Sequence, residues 1–442
     1  MRGFDPSLLQ LYVDDPERAD AVVFGRRTGP GRRGFLQGAG LAAMGAALGG
    51  IGIPFAANMP AGLIPAALAQ GAGGGPKLLQ MPGKAALVML GDRPLVAETP
   101  EHLLDEDVTS NDRFFIRNNG NPPEPVANPD AWELVVDGEV NSPLRLTVGE
   151  LKSRFPSVTY QLMLECGGNG RSAFVPQARG NQWTNGGAGC ARWTGVRLRD
   201  LLQAAGPRPS AVYTAHYGAD THLSGEAGRV PLSRGVRIEK AMEEHTLVAF
   251  AMNGEPIPHV HGGPVRLVVP GWAGSASHKW LSRIWIRDRE HDGPGMTGTA
   301  YRVPTVPIIP GSESQGEGFR ILESMPVRAI ITNVPNGTEL PAGTREIPLR
   351  GHAWAGERTV RAVHVSADYG QTWQAAEVGQ PANKYAWQSW RGSVHLPTRG
   401  YYELWVRATD SEGVMQPHVA ANWNPQGYGG NALHRVAVLV PS

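Results

Sequence analysis

A chain of 442 residues with 41% hydrophobic side chains holds enough apolar material for two or three domains, each with its own core. Its 41 lysines and arginines balance 40 aspartates and glutamates, which argues against nucleic acid as a partner and leaves any anion site to be built locally. The 57 glycines and 37 prolines are spread through the chain, which disfavours long helical bundles and fits a turn-rich, strand-rich fold.

Residues 1–69 read as an export signal. Arg32-Arg33-Gly34-Phe35-Leu36 precedes a weakly hydrophobic Gly/Ala-rich run over 38–69, the form of a segment read by the twin-arginine translocation machinery. Ala67-Leu68-Ala69 fits a small-x-small cleavage site, which places the mature start near Gln70 and the protein in the periplasm. Pro54, Pro60 and Pro65 break helices, so a permanent membrane anchor is the weaker reading. Export by this route fits a protein that folds around a complex cofactor before it crosses.

From 70 to about 110 no periodicity is visible, and an extended arm over the first domain is expected. The pattern tightens at FFIRNN (114–119) and ends at the turn Asn121-Pro122-Pro123. Residues 132–138 (WELVVDG) form a strand pattern, and Thr147 with Glu150 makes a capping box that opens a short helix through Phe155. The run 158–164 is rich in strand formers and delivers Glu165 and Cys166 at its end. Residues 196–205 show a helical apolar period stopped by Gly206, while Val212, Leu247, Val265 and Ile284 lie in further strand-like runs. The unit 70–320 is therefore expected to be α+β. From 321 to 442 strands alone recur (VRAIITNV, REIPLRGHAWAG, VRAVHVSAD, SWRGSVHL, YYELWVRATD and HRVAVLV), the pattern of an all-β immunoglobulin-like sandwich acting as an interface domain.

Two segments carry chemistry. The first is ECGGNGRSAF (165–174), where three glycines around Cys166 leave its backbone open to close approach by something bulky. Arg171 places a cation near the thiol, which favours a thiolate and draws in anions, and a lone soft thiolate suits a soft or high-valent metal. The competing reading is a disulfide between Cys166 and Cys190, the two cysteines of the chain, in a non-catalytic exported binding protein. The second segment runs from 216 to 280 and holds His216, His222, His245, His259, His261 and His278. His259-Val260-His261 invites a zinc or copper site, hence a zinc hydrolase, although most such histidines are satisfied polar groups of a core. His261-Gly262-Gly263-Pro264-Val265-Arg266 and Ser277-His278-Lys279-Trp280 join glycines to cations and donors, a combination suited to a phosphate-bearing ligand.

Four blocks in order, FFIRNN, ECGGNGRSAF with ARWTGVRLRDLL, AMNGEPIPHVHGGPVRLVVPGWAGSASHKWLSRIWI, and SADYGQTW with WNPQGYGGNALHRVAVLV, make the stretch from Arg113 to Val438 resemble the sulfite oxidase family. The resemblance implies a molybdenum–molybdopterin cofactor with Cys166 as the metal's thiolate ligand. It assigns Phe115, Ile116, Arg117, Asn118, Asn119, Asp220, His261, Arg266, Ser277, His278 and Lys279 to the pterin and its phosphate, and Arg117 and Arg171 to an anion pocket beside the metal. It also implies oxidation of sulfite to sulfate by oxygen-atom transfer, electron delivery to an external c-type cytochrome, and a homodimer formed through 321–442. With two cysteines so placed the chain carries no haem-attachment motif, and no haem is expected in it. Cys190 is expected to pack as a small buried hydrophobe.

Three positions depart from the family's pattern. Where its active-site tyrosine is expected stands Glu226-Ala227-Gly228-Arg229-Val230-Pro231, so that a carboxylate or Arg229 would replace a phenol. Trp387-Gln388-Ser389-Trp390 stands where an arginine is expected, and Asn119 where a histidine is. These changes admit a sulfane dehydrogenase or a sulfoxide reductase on the same scaffold.

Overall fold

The computed structural model describes residues 76–441, so the export signal expected over 1–69 lies outside the described residues. Among them no helix is long and apolar enough to cross a membrane. In place of the expected arm, Val88–Asp92 and Leu95–Glu98 form an antiparallel hairpin joined by Ile116–Arg117 into a three-stranded sheet. Strands of five and four residues are too short to show a period in sequence, yet Leu79, Leu87, Ala97 and Ile116 bury together beneath them.

Two five-stranded sheets follow. One runs Glu255–Pro256, Leu247–Met252, Ala188–Arg197, Ser157–Glu165, with Arg266–Val268 also paired to Leu247–Met252. The other orders Leu144–Thr147, Glu133–Gly138, Leu281–Arg287, Tyr213–Gly218 and Arg234–Arg237, with Glu133–Gly138 and Leu281–Arg287 parallel. Val136, Leu146 and Ile284 of the second share one core with Val196, Val248 and Leu267 of the first. The helix Val148–Arg154 begins at the capping box read from sequence: Thr147 Oγ1 accepts from the Glu150 amide at 3.2 Å, and Glu150 accepts from the Thr147 amide at 2.8 Å. The helix Leu198–Ala205 ends on Gly206 at φ +64°, where a side chain would be strained. Val196 and Arg197, read as helical, belong instead to the preceding strand, paired with Val248 and Leu247. With a third helix of four residues, Ile238–Ala241, this half is mostly β rather than an even α+β mixture.

The six C-terminal strands expected from sequence all form. Gln374–Val378 and Thr338–Glu339 join them in one eight-stranded sheet, in which Gln374–Val378 pairs with both Val360–Ser366 and Gln388–His395. The sheet curls so that Ile331, Leu349, Trp390, Val363, Leu404 and Val438 meet in one core.

Candidate active site

Strand alternation and loop return build a cavity around Cys166. Ser157–Glu165 ends at the cysteine, whose amide donates to Gly187 O at 2.8 Å, and a parallel bridge between Glu165 and Ala273 lays the 273–279 loop alongside. Cys166 shares the cavity wall with Phe115, Arg117, Asn119, Asp220, His261, Arg266, Ser277, His278 and Lys279, so most of the residues singled out in sequence converge.

Three do not line it. Ile116 alternates with Arg117 along a strand and therefore points the other way, into the core of Leu79, Leu87 and Ala97. Asn118 is buried behind the wall, where its side-chain oxygen accepts from the Lys279 ammonium. Arg171 is turned back: its Nε donates to Gln426 O and its Nη1 to Asn181 O, both at 2.7 Å, and its guanidinium lies 5.4 Å from the Tyr428 ring. It still acts on the cysteine through its field. Burial pushes the Cys166 thiol above its ordinary range, while Arg117, Arg171 and a hydrogen bond from the Gly168 backbone pull it down.

Of the glycines after Cys166, Gly167 lines the cavity, while Gly168 and Gly170 serve the protein's own packing. A Cβ at Gly168 would overlap the Arg171 guanidinium, and one at Gly170, at φ +79°, would overlap Gly430 O from the C-terminal half. Gly262, at φ +100°, leaves room for the Lys279 side chain. Arg266 ties the histidine loop to the serine loop, donating to His261 O at 2.7 Å and to Ser277 O at 2.9 Å, while Lys279 donates to Val260 O at 2.8 Å.

The cavity wall carries three cations, Arg117, Arg266 and Lys279, against one carboxylate, Asp220. Dryness makes that imbalance costly. Burial drags Arg266 down to about 9 and Lys279 well below its usual range, and it raises Asp220 to about 6 against the pull of Lys279. Ser275 Oγ and His278 Nδ1, buried at the same wall, have no hydrogen-bond partner among the described residues. Nε2 of His278 donates to Leu232 O at 3.2 Å, which leaves its Nδ1 an acceptor. An anionic ligand with both acceptors and polar N–H groups supplies what the cations, the Ser275 hydroxyl and this nitrogen lack, and a phosphate-bearing pterin is such a ligand.

The sequence did not point to Phe114, Leu232, Ser275 or Tyr301 as wall residues. Tyr301 corrects the reading of a missing phenol. Its hydroxyl donates to Asn119 Oδ1 at 3.3 Å, and its ring stacks on Tyr428 with centroids 4.9 Å apart. Glu226 and Arg229, expected in the phenol's place, pair with each other at 3.2 Å on an exposed loop. Gln388 is likewise no substitute for a pocket arginine, since its amide bridges Val360 and Gly379 inside the C-terminal sheet.

Two other readings are overturned. Cys166 and Cys190 are both free and lie in different core clusters. Cys190 sits across from Met163, three strand steps from Cys166, or about 10 Å, beyond disulfide reach. It packs as a small hydrophobe whose thiol burial pushes up to about 12. The histidines do not gather into a metal centre, and no cluster of three or more His, Cys, Asp or Glu able to hold an ion occurs among the described residues. His259 packs on Trp280, His245 pairs with Glu243 at 3.1 Å, and His216 shares a hydrogen bond with Thr214 at 2.7 Å.

Comparison with known proteins agrees with this geometry. Residues 120–294 match the oxidoreductase molybdopterin binding domain, and residues 320–440 the Mo-co oxidoreductase dimerisation domain. Mitochondrial sulfite oxidase of Homo sapiens is 34% identical over 378 residues, covering 80% of this chain and 66% of that protein. Sulfite oxidase of Gallus gallus is 32% identical over 372 residues, covering 80% and 78%. The NADPH nitrate reductase of Fusarium oxysporum is 30% identical over 320 residues, covering 67% and 34%. The chain thus spans about two thirds of the length of the mitochondrial relatives it matches. The sulfane dehydrogenase SoxCD from Paracoccus pantotrophus shares the fold, with a TM-score of 0.65 at 24% identity over 88% of this chain and 97% of that one. Sequence blocks, an anion-seeking cavity around one buried thiol, and both matched domains place this chain in the sulfite oxidase family of molybdopterin oxidoreductases, with molybdenum–molybdopterin as its cofactor.

Proposed function

We propose that this chain oxidises sulfite to sulfate and passes the electrons to an external c-type cytochrome. In this reading Cys166 is the thiolate ligand to molybdenum. Phe115, Asn119, Asp220, His261, Arg266, Ser277, His278 and Lys279 hold the pterin and its phosphate, with Asn118 steering Lys279 from behind the wall. The bound cofactor supplies the two-electron oxygen-atom chemistry that side chains lack.

The protein's own groups do the rest. Arg117 enters the cavity beside Cys166 and is the cation placed to hold an anionic substrate, and Arg171 adds positive field from behind. Tyr301 and Asn119 offer a phenol and an amide at the same wall for orienting substrate oxygens. Phe114, Leu164, Leu232 and Trp280 keep it dry, which strengthens every charge inside. The observation that carries the reading is the pairing of a buried thiol under two guanidinium fields with a cavity short of negative charge.

The further readings belong with it: export to the periplasm by the twin-arginine route, and an immunoglobulin-like C-terminal domain through which two copies pair. A second substrate reading, oxidation of a sulfane sulfur or reduction of a sulfoxide, is favoured by one observation. Arg171 spends donors on backbone carbonyls and Gln388 lies away from the cavity, so fewer cations face a dianion than the family's pattern provides.

The test is metal and pterin analysis of wild type and Cys166→Ser, together with cytochrome c reduction by sulfite, a sulfane donor and, in reverse, a sulfoxide. Molybdenum near one per chain with sulfite turnover, both lost on substitution, is expected. Molybdenum with turnover of another sulfur compound alone overturns the substrate, and a variant that keeps its molybdenum overturns the ligand assignment.

A further inference from the structure

Lys84 belongs to the segment before the first hairpin, and nothing above gives it a role. Its ammonium is mostly buried and meets three acceptors: Asn111 O at 2.6 Å, Phe114 O at 2.7 Å and His261 Nε2 at 3.1 Å. Three protons thus have three partners. In its charged form Lys84 has no lone pair, so Nε2 is then the acceptor of the third bond. His261 is then neutral with its proton on Nδ1. Burial, with Lys84, Lys279 and Arg266 as neighbouring cations, holds the ring's basicity well below its usual range and excludes the doubly protonated form.

The ring's surroundings fix which way that proton faces. His261 packs edge-on against Phe114, with centroids 5.5 Å apart at 76°, and its carbonyl is held by Arg266 at 2.7 Å. Nε2 faces Lys84 and Asn111 on the outer side, and Nδ1 has no hydrogen-bond partner among the described residues, while the residue lines the cavity. We propose that Lys84 is a positioning residue that locks His261 in the Nδ1–H tautomer, so that the histidine offers a donor to the anionic end of the cofactor.

The alternative state is already built in. Asn111 O lies 3.3 Å from Nε2. Without the ammonium, Nε2 takes the proton and donates it there, and Nδ1 turns an unprotonated lone pair toward the cavity. A lone pair facing an anion repels it, so removing Lys84 inverts the polarity of a group it never covers.

The inference rests on the seat proposed for His261 at the cofactor, and the test separates the two. Holoenzyme labelled with 15N-histidine is measured by NMR, with the His261 signals assigned by their loss in His261→Asn, and pterin release on heating is followed by fluorescence. Wild type at about pH 6, where Lys84 is charged, should show Nδ1–H. Lys84→Met should show Nε2–H and release pterin roughly tenfold faster, by analogy with the lower end of what outer-sphere partners of metal-ligating histidines contribute. In a His261→Asn background, Lys84→Met should add no further acceleration, which a merely structural role would not predict. A wild type that holds pterin but carries its proton on Nε2 overturns the inference while sparing the cofactor assignment, as does an undiminished Lys84→Met effect without His261. Should Lys84→Met fail to load cofactor, the wild-type tautomer alone still decides.

Discussion

Tyr301 holds its backbone at φ +50°, a conformation that residues with a side chain adopt sparingly, and the stack on Tyr428 keeps it there. Tyr301→Phe retains the ring and the stack and removes the hydroxyl alone. If the phenol orients substrate, kcat/KM for the physiological sulfur compound falls about 10- to 100-fold with molybdenum content unchanged, measured by steady-state kinetics beside metal analysis. Equal kinetics would leave Tyr301 as packing. The buried cations make a second prediction about the cofactor-free protein. Burial lowers Lys84 to about 7, Arg266 to about 9, and Lys240 and Lys279 in the same direction, so the unfolded chain binds more protons than the folded one in alkaline solution. Stability then rises with pH until the buried thiols and phenols, which burial keeps protonated, begin to oppose it near pH 9, so the cofactor-free protein should melt at a higher temperature at pH 8.5 than at pH 7, a gain that a bound anion reduces. A melting temperature that falls across this window would show the cations to be better paired than the geometry indicates.

Residue chemistry was legible where it depended on neighbours in sequence. That Cys166, His261 to Arg266, and Ser277 to Lys279 would meet at one cavity could be read because each block keeps its polar groups and turns within a few residues. Arg171 could not be placed, since the carbonyl that turns it back belongs to Gln426, 255 residues away. Lys84 and Tyr301 sit in stretches without period or motif, and only chain return brings them to the cavity. The one visible hint at Lys84 was a lone cation in the largely apolar run LLQMPGKAALVML.

Among elements, the strand ending at Cys166 is held by a fully engaged buried network. Glu165 accepts from Arg328 Nε and from Asn169, both at 2.9 Å, and from Trp354 Nε1 at 2.7 Å, and Arg328 reaches Asn185, Asn169 O and Gly430 O besides. Arg328 and Trp354 come from the C-terminal sheet. Arg328→Met strands a dry carboxylate one residue from the cysteine, and a loss of about 3–5 kcal/mol is expected in chemical denaturation, partly recovered by adding Glu165→Gln. By contrast Thr147→Ala, at a capping box far from the cavity, should cost about 1 kcal/mol and leave molybdenum content intact. Caps and alternation were readable because they are local. The hairpin at 88–98 and the strand Gln374–Val378 were not, because few residues and a half-exposed face leave no period to see.

Over the whole molecule, the described residues belong to one compact unit although two domain models match it. The contacts that merge the two matched domains include the Trp272–Ser324 bridge, the hydrogen bond from Met163 to Tyr385 O and the Tyr428 ring behind Arg171. Heating should therefore produce one calorimetric transition rather than two, and a chain ending at 320 should fail to retain pterin. Two resolved transitions would show the domains to be independent.

The Glu165–Arg328 pair also bears on how such proteins can diverge. A recombinant that joins this N-terminal half to a relative's C-terminal half must bring an arginine and an indole to the places of Arg328 and Trp354, or else the acid beside Cys166 stays charged with nothing to answer it. Exchange of halves therefore requires the pair to travel together, whereas a change confined to the cavity wall leaves it untouched.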